Sequence, residues 1–316
     1  MIITSLLLSA SVGPALAEGL SRSDKLGVLY SSQFAFDRRG VPLITIGVAQ
    51  GHKEVVVEGK AGMRVFPEGE DGSEVLGGRR WKIALRASTT QIAKLRRAAD
   101  SWTGRGVKAR IIEVGTIFGI KGRIFDNRAM LLTDGPYDNK RVAKVKAESY
   151  LAKGWIDKVL TTAQLKRRPS AELEATDLAS GTRIRLRDAI WFAPKSRKGK
   201  LRIEIGGKKG HTYWGRLTVT VDRQGKLAVV NAVAADKLLA GLVPAEIFPS
   251  APSAALQAQS VAARSDLLAK LGTRHFVDPY LICAWQHCQM YRGVGHEHPR
   301  TTDAVHATRG LVLAQP

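Results

Sequence analysis

The sequence predicts an α+β protein that is rich in strands. Short segments of alternating apolar and polar residues recur along the chain, and 31 glycines and 12 prolines interrupt its 316 residues. This pattern is typical of many short strands joined by turns and unlike that of a long helical bundle. The length exceeds that of a typical single domain of about 100–200 residues, so we expect two or three domains.

The N-terminal residues have the pattern of a signal peptide. Residues 1–17 carry no charge, contain an apolar run from Ile2 to Leu8 and end in the small-x-small sequence Ala15-Leu16-Ala17. This pattern predicts export. A signal peptide normally has a basic residue before its apolar run, and none is present here, so a short core strand is the alternative. No later stretch approaches the roughly 20 apolar residues of a membrane helix. We therefore expect an exported protein, in the periplasm or the cell wall, without a membrane span.

The charge of the chain favours a polyanionic partner. Lysine and arginine outnumber aspartate and glutamate by 49 to 28, a net charge of +21, and residues 140–209 alone hold 19 basic and 7 acidic residues, net +12. A surplus this concentrated predicts a docking surface, although a solvated face is the alternative. An exported protein rarely meets nucleic acid, and aromatic and basic residues do not interleave in the RNA-binding manner. We expect cell-envelope material as the partner and no nucleic acid.

Residues 24–75 are expected to form an N-terminal β region. Within residues 42–66, three short segments alternate apolar and polar side chains and are separated by glycines. This is the pattern of half-buried strands.

Residues 81–165 are expected to form a small α/β domain. Strand patterns occur at residues 81–86, 109–114, 129–133 and 155–160. A helical pattern follows the first and the third of these strands. In the second helix the expected buried face is Val142, Val145, Ala147 and Leu151. Two strand–helix–strand units in succession predict a split βαβ fold.

The second half of this segment carries motifs of a known glycan-binding module. Leu132-Thr-Asp-Gly-Pro-Tyr137, the helix after it and Ala152-Lys-Gly-Trp155 resemble the second half of a SPOR domain. SPOR domains recognise peptidoglycan glycan that has been stripped of its peptides. The resemblance implies such a role for residues 81–165, and an ordinary α/β insert is the alternative.

Residues 170–316 are expected to form the C-terminal domain. Strands at 183–187 and 201–205 precede a hairpin that turns around Gln224 and Gly225. The pattern becomes helical from about residue 232, and one helix is expected from Pro252 or Ser253 to Gly272. Small residues at a spacing of three and four predict its buried face: Ala254, Ala258, Val261, Ser265 and Leu268.

Four ordered motifs in this domain resemble one family. They are the run Leu-Leu-Ala-Gly-Leu-Val-Pro-Ala-Glu at 238–246, Ala255-Leu-Gln-Ala-Gln-Ser-Val-Ala-Ala-Arg264, His287-Cys-Gln-Met-Tyr-Arg-Gly293 and Ala304-Val-His-Ala-Thr-Arg-Gly-Leu-Val-Leu313. From about Tyr213 onward the chain thus resembles the stage II sporulation protein D family, the SpoIID/LytB domain.

The resemblance implies two functions. Members are exported, envelope-associated proteins, and some are lytic transglycosylases that cut peptidoglycan strands lacking stem peptides. The first expectation is therefore a lytic transglycosylase that leaves 1,6-anhydro-N-acetylmuramic acid ends. The LytB branch modifies cell-wall amidases, so the alternative is a non-catalytic peptidoglycan-binding modifier of an amidase.

The resemblance places the catalytic acid on Glu246, the glutamate that closes the family's Val-Pro-x-Glu motif. Cleavage of a glycosidic bond needs a protonated carboxyl beside the leaving oxygen, and apolar surroundings favour that form. Glu246 lies within an apolar run, and no other acid occurs between Asp236 and Asp266. A lytic transglycosylase needs only one carboxyl, because the sugar's own 6-hydroxyl attacks. An exposed loop glutamate is the alternative.

Two further residues match substrate-binding positions of the family. Arg264 falls on the arginine of the Ala-Ala-Arg motif, where a planar guanidinium can bind sugar oxygens; a structural ion pair is the alternative. Gln289 falls on the family's glutamine and is expected to form a hydrogen bond with the glycan.

His275, Cys283 and Cys288 are the candidate metal ligands. Some family members hold zinc with one histidine and two cysteines near the cleft, which leaves a fourth position for water or substrate. His287 is an alternative to His275. A disulfide between the two cysteines, which exported proteins favour, and free thiols are the alternatives to zinc.

The sequence departs from the family in one respect. The family pattern continues with a further strand and a Ser-Cys-Gly-Gly-type segment after the last motif, whereas this sequence ends at Pro316. The expected domain at 170–316 is therefore either C-terminally truncated or closed in a different way.

Overall fold

The computed structural model describes residues 29, 35–36, 41–67, 81–88, 92–115, 117–120, 123–137, 139–156, 161–164, 171–222, 224–275 and 278–313. The expected signal peptide at 1–17 lies outside these residues, as do parts of the expected β region at 24–75. Among the helices within them, none has the length and apolar character needed to cross a membrane.

The described residues combine many short strands with a few helices, which confirms the α+β prediction. The strands are β1 Ala35–Phe36, β2 Pro42–His52, β3 Val56–Glu58, β4 Met63–Pro67, β5 Trp81–Ser88, β6 Arg110–Val114, β7 Ile117–Ile120, β8 Arg123–Asp126, β9 Ala129–Tyr137, β10 Thr161–Gln164, β11 Glu172–Thr176, β12 Arg183–Arg187, β13 Ala189–Pro194, β14 Leu201–Ile205, β15 Lys208–Tyr213, β16 Arg216–Val221, β17 Leu227–Ala234 and β18 Ile282–Cys283. The helices are α1 Ile92–Gly104, α2 Lys140–Ala152, α3 Ala235–Glu246, α4 Ser253–Lys270 and α5 Pro299–Ala307, with a 3-10 helix at Gly293–His296.

A seven-stranded sheet forms the centre of the fold. Its strands run in the order β1-β2-β17-β16-β13-β4, and β18 pairs in parallel with β2. The middle strands bury Val219, Val229 and Val230, whose branched side chains suit a pleated, packed surface. Strands β16 and β17 form the expected hairpin, and Asp222 holds its turn by accepting hydrogen bonds from the backbone N–H of Gln224 (2.8 Å) and Lys226 (2.9 Å).

Strand β2, in the N-terminal part of the chain, pairs with two strands of the C-terminal part. One side of β2 pairs with β17, and the other receives the segment at 281–284. There the Leu281 N–H donates to the Thr45 carbonyl at 3.0 Å and the Ala284 N–H donates to the Gly47 carbonyl at 2.9 Å. A β-carbon at Gly47 would lie 2.6 Å from the ring of Tyr280, so this close approach requires glycine.

Helices α3, α4 and α5 pack against one another beside this sheet. Helix α3 begins directly after β17 and contacts both β17 and β2. Its Leu239 and Val243 form a buried apolar cluster with Ala263 of α4 and Val305 of α5. This packing fixes the C-terminal end of α3 against the middle of α4.

A second antiparallel sheet lies between residues 81 and 164, which we call the insert. Apart from the separate β7–β8 hairpin, the chain order is β5-α1-β6-β9-α2-β10 and the sheet order is β10-β5-β9-β6, which confirms the predicted split βαβ fold. The strand expected at 155–160 is found instead at Thr161–Gln164, and residues 157–160 lie outside the described part. In its core, the Tyr137 and Tyr150 hydroxyls both donate to the buried carboxylate of Asp134.

The insert contacts the end of α4. The Asn127 side-chain amide donates to the carbonyls of Leu268 (2.9 Å) and Leu271 (2.7 Å), and the Gly115 N–H donates to the Gly272 carbonyl at 2.9 Å. The last carbonyls of a helix have no partner within the helix. The insert therefore supplies the hydrogen bonds that satisfy the C-terminal end of α4.

Two predicted helix faces are largely wrong, although Ala147 of α2 and Leu268 of α4 are buried as predicted. In α2 the buried residues are Ala143, Ala147 and Tyr150, whereas Val142, Val145 and Leu151 are exposed. Small side chains let α2 approach the sheet, and Tyr150 then reaches Trp102 at a ring distance of 5.2 Å. In α4 the buried residues are Leu256, Ser260, Ala263, Arg264, Leu267 and Leu268, rather than the face begun by Ala254 and Ala258.

We expect Ala147→Lys to destabilise the insert by about 3 kcal/mol or more, because it places an unpaired charge in the core. Val145→Lys should change the free energy of unfolding by less than about 0.5 kcal/mol, because Val145 is 60% exposed. Urea denaturation followed by circular dichroism measures both. A larger loss for Val145→Lys than for Ala147→Lys would contradict the observed orientation of α2.

Candidate functional site

A cleft of about 470 Å³ opens between the end of α3, the middle of α4 and the segment at 286–290. The three segments meet there because α3 and α4 share the apolar cluster around Val243 and Ala263. The polar side chains that line the cleft are Glu246, Gln259, Asp266, Lys270, Gln286 and Gln289.

Glu246 is the last residue of α3 and lies at the cleft. The Leu242 and Val243 side chains before it are fully buried, whereas Glu246 itself is exposed. The carboxyl therefore lacks the expected apolar surroundings, because the apolar run before it faces the helix cluster. Phe248, two residues further on, is 82% exposed.

The cleft holds a second carboxylate that the sequence analysis did not predict. Asp266 lies on α4 and lines the cleft with Glu246. Its Oδ2 atom accepts a hydrogen bond from the Lys270 ammonium at 2.5 Å, and the same ammonium donates to the Cys288 carbonyl at 2.7 Å. Within the described residues Glu246 has no ion-pair partner. The two acids are therefore distinguishable, since one is paired and the other is not.

Gln289 reaches the same cleft from the opposite wall, as the family resemblance implies. It is 9% exposed, and its Nε2 donates to the Ala263 carbonyl at 3.3 Å. Its Oε1 is buried and has no hydrogen-bond partner among the described residues. A buried acceptor without a partner is costly, so this oxygen is suited to accept a hydrogen bond from a ligand N–H or O–H group.

Arg264, the other residue that the resemblance marks as a substrate ligand, does not line this cleft. The side chain is 7% exposed and points towards α5. Its Nη1 donates to the carbonyls of Thr308 (2.9 Å) and Leu311 (2.8 Å), and its Nη2 donates to the Val305 carbonyl at 3.2 Å. The guanidinium therefore caps the C-terminal end of α5, a position that favours a cation.

Four residues that can bind a metal ion lie together behind the cleft. One donor atom from each of His275, Cys283, His287 and Cys288 lies within 4.8 Å of the others. The sequence predicted His287 only as an alternative to His275, but the structure brings both histidines to the cluster. Cys283 and Cys288 are buried and do not form a disulfide.

The distances in this cluster fit a tetrahedral zinc ion. Cys288 Sγ lies 3.3 Å from His275 Nε2 and 3.7 Å from His287 Nδ1, and Cys283 Sγ lies 3.6 Å from His287 Nδ1. In a tetrahedral site with zinc–sulfur and zinc–nitrogen bonds of ordinary length, sulfur and nitrogen ligands lie roughly 3.5 Å apart. These three sulfur–nitrogen distances therefore match edges of one coordination tetrahedron.

Hydrogen bonds around the cluster orient His275 and favour the thiolate form of Cys283. His275 Nδ1 is hydrogen-bonded to the buried Asp278 carboxylate at 2.8 Å, which leaves Nε2 as the ligand atom, an arrangement common around metal sites. Burial alone would lower the pKa of His275, but hydrogen bonds with Asp278 and Cys283 raise it. Hydrogen bonding from Cys288, supported by His275, lowers the pKa of Cys283 despite its burial.

The cleft and the metal cluster lie within a recognised domain. Residues 223–314 match the family model of SpoIID, described as stage II sporulation protein. This part of the chain, which includes α3, α4, α5 and the four cluster residues, therefore matches a SpoIID domain, and the resemblance seen in the sequence is confirmed over these residues. No curated protein and no solved structure matches the chain significantly.

The family match defines a class of function. SpoIID proteins are associated with the cell wall and with its lysis, which supports a cell-wall-related role for this chain. The resemblance of residues 81–165 to a SPOR domain stays a prediction.

The observed role of Arg264 predicts a stability defect. Arg264→Met keeps the length of the side chain but removes the guanidinium that donates to the carbonyls of Val305, Thr308 and Leu311, so we expect a loss of roughly 2–4 kcal/mol in the free energy of unfolding. The exposed Arg292 provides a control, since Arg292→Met should change stability by less than about 0.5 kcal/mol. If Arg264→Met leaves stability unchanged but weakens glycan binding, Arg264 binds substrate rather than stabilising α5.

Proposed function

We propose that the protein is a peptidoglycan lytic transglycosylase that cleaves denuded glycan strands and leaves 1,6-anhydro-N-acetylmuramic acid ends. The observation that carries the proposal is that Glu246 and Gln289, which the family resemblance marks as acid and glycan ligand, line one cleft of the SpoIID domain. The exposed carboxyl supplies the proton, and the buried amide oxygen supplies a fixed acceptor for the sugar.

In the proposed reaction Glu246 acts first as an acid and then as a base. It gives its proton to the glycosidic oxygen as the bond from that oxygen to C1 of N-acetylmuramic acid breaks. The C6 hydroxyl of the same sugar then attacks C1, and Glu246 accepts the hydroxyl proton. The leaving sugar gains a hydroxyl group, the remaining sugar becomes a 1,6-anhydro ring, and no water is consumed.

The pairing of Asp266 supports a single-acid reaction. Hydrolysing glycosidases use two carboxyl groups that flank the scissile bond, one of which activates water or attacks the sugar. Asp266 is instead paired with Lys270, whose second hydrogen bond anchors the backbone at Cys288. Its carboxylate therefore supports the cleft wall, and Glu246 is left to transfer protons.

The basic charge supports a wall polymer as the partner and the cell wall or periplasm as the location. The net charge is +21, and residues 140–209 carry +12 of it. A surface of this kind raises the local concentration of a polyanion and speeds association with it. We propose that the insert adds a second glycan contact, as its resemblance to SPOR domains implies.

We also propose that the cluster around His275, Cys283 and Cys288 binds zinc. Two thiolates and an imidazole are the ligands that zinc prefers in proteins, and the distances fit. A bound zinc ion would supply folding energy to the loop that carries them. Transfer of protons to and from the glycan is assigned to Glu246 alone.

Glu246→Gln is expected to lower the rate of strand cleavage by at least roughly 10²–10⁴-fold, because the variant keeps the shape of the side chain but has no proton to transfer. The measurement is the release of 1,6-anhydro-ended fragments from denuded glycan strands, followed by mass spectrometry. Binding of the strands should survive the change. Cleavage at the wild-type rate by Glu246→Gln would refute the assignment.

Asp266→Asn is the matched variant, since it neutralises the other carboxylate of the cleft. We expect it to retain most of the activity and to yield the same anhydro ends. Loss of activity equal to that of Glu246→Gln, with reducing ends as products of the wild type, would indicate two-carboxylate hydrolysis. A wild type that never cleaves strands but stimulates a cell-wall amidase would establish the alternative function.

The zinc proposal predicts one zinc ion per chain in the purified protein. Elemental analysis measures the content, and a thiol reagent should modify Cys283 and Cys288 rapidly only after a chelator removes the metal. A Cys283–Cys288 disulfide in the protein as purified would contradict the proposal.

A further inference from the structure

Two exposed aromatic rings border the cleft. Among the side chains that the structure describes, Phe248 and Trp285 are the exposed aromatic ones, at 82% and 37%. Phe248 lies two residues after Glu246 at the end of α3, and Trp285 directly precedes Gln286 on the cleft wall. Isolated apolar residues on a surface are common, but these two rings lie at two of the three segments that enclose one cleft.

The backbone holds Phe248 in place beside the candidate acid. Ile247 is extended (φ −141°, ψ 142°) and packs against the apolar cluster of α3, α4 and α5. Successive side chains of an extended backbone point to opposite sides, so Phe248 points away from that cluster. The Ala251 N–H donates to the Phe248 carbonyl at 3.0 Å, and the Arg300 guanidinium donates to the carbonyls of Pro249 (2.7 Å) and Ala251 (3.0 Å). The turn that begins at Phe248 is therefore anchored, and its ring faces solvent.

Trp285 is presented in a similar way. The Cys288 N–H donates to the Trp285 carbonyl at 3.0 Å, so Trp285 also begins a tight turn. The Arg274 guanidinium donates to the His287 carbonyl at 3.0 Å and anchors this turn from outside. Each exposed ring is thus carried by a turn that an arginine fixes through the backbone.

The faces of these two rings are open, unlike those of other tryptophans in the protein. The Arg105 guanidinium lies 4.6 Å from the ring centre of Trp155, and the Lys200 ammonium lies 4.3 Å from that of Trp214. Within the described residues, neither ring beside the cleft has a cation or a second ring against it. Their faces are therefore accessible to a ligand.

The chemistry of the cleft and its border suits a sugar polymer. A pyranose ring has faces lined with C–H groups and edges lined with hydroxyl and amide groups. The negative face of an aromatic ring attracts the C–H groups, while Gln259, Gln286 and Gln289 in the cleft offer hydrogen bonds to the edges.

We infer that Phe248 and Trp285 are stacking platforms for sugar rings of the glycan that extend out of the cleft. Neither residue lines the cleft itself, so the two rings contact sugars beyond those held beside Glu246. The inference rests on the proposed function, since it takes the denuded glycan strand as the ligand. It adds that the site selects strands longer than the cleft alone can hold.

Binding of glycan fragments of two lengths tests the inference. The full-length Glu246→Gln chain is the parent, so that the fragments stay intact, and calorimetry measures its affinity for a peptide-free disaccharide and octasaccharide of the glycan. We expect Phe248→Leu and Trp285→Leu each to weaken octasaccharide binding roughly 2- to 10-fold, since stacking on an aromatic ring is lost. Affinity for the disaccharide, which the cleft alone can hold, should stay unchanged.

The controls separate stacking from other effects. Phe248→Tyr and Trp285→Phe keep an aromatic ring and should bind the octasaccharide within about twofold of the parent. Leu178→Ala removes an apolar side chain that is 79% exposed elsewhere and should change neither affinity. Thermal unfolding verifies that each variant is folded, and if the Trp285 variants do not fold, the Phe248 variants decide.

Three results would overturn the inference: parent-like octasaccharide binding by Phe248→Leu, an equal loss with the disaccharide, or no octasaccharide binding by the parent. The proposed function is read separately, from the products that the wild-type chain releases. An octasaccharide whose binding depends on the aromatic rings but which the wild type never cleaves would refute the transglycosylase and leave the stacking platforms established.

Discussion

The pairing of β2 with β17 is the constraint on which the candidate site depends. Strand β17 leads directly into α3, so the register of this pair fixes where the helix begins and where Glu246 ends it. The other side of β2 receives β18 and therefore fixes Cys283. The acid and the metal cluster thus come from two segments held on opposite sides of one strand. That strand lies outside the region of the SpoIID match, so the domain needs the N-terminal part of the chain to build its cleft.

Helix α4 has a different role along each part of its length. Its middle lines the cleft with Asp266, its buried face uses Arg264 to hold α5, and its last turn positions the wall through Lys270. Its final carbonyls are satisfied by Asn127 of the insert. The residues that line the cleft are therefore held in place partly by contacts on the far sides of the same helix.

The sequence was sufficient to predict the elements whose signals are local. Alternating apolar residues, the Gln224-Gly225 turn and the helical spacing of residues predicted the hairpin, the split βαβ unit and the extent of α4. Burial was harder, because Val145 is more apolar than Ala147 but the smaller side chain packs on the sheet. The role of Arg264 depends on carbonyls 41 to 47 residues away, and that of Asp266 on the fold of α3. Such long-range partners leave no pattern in one sequence.

The position of the insert within the chain has a consequence for the order of folding. Strands β2 and β4 belong to the first 67 residues, yet their partners β13 and β17 end at residues 194 and 234. Among the described residues, the strands of the insert pair with one another within residues 81–164, so this unit can close as soon as that stretch has been synthesised. Strands β2 and β4 therefore stay unpaired, with apolar edges exposed, until β13 and β17 have been synthesised. Sheets with such distant pairings form slowly, and their unpaired strands are prone to aggregation until they form.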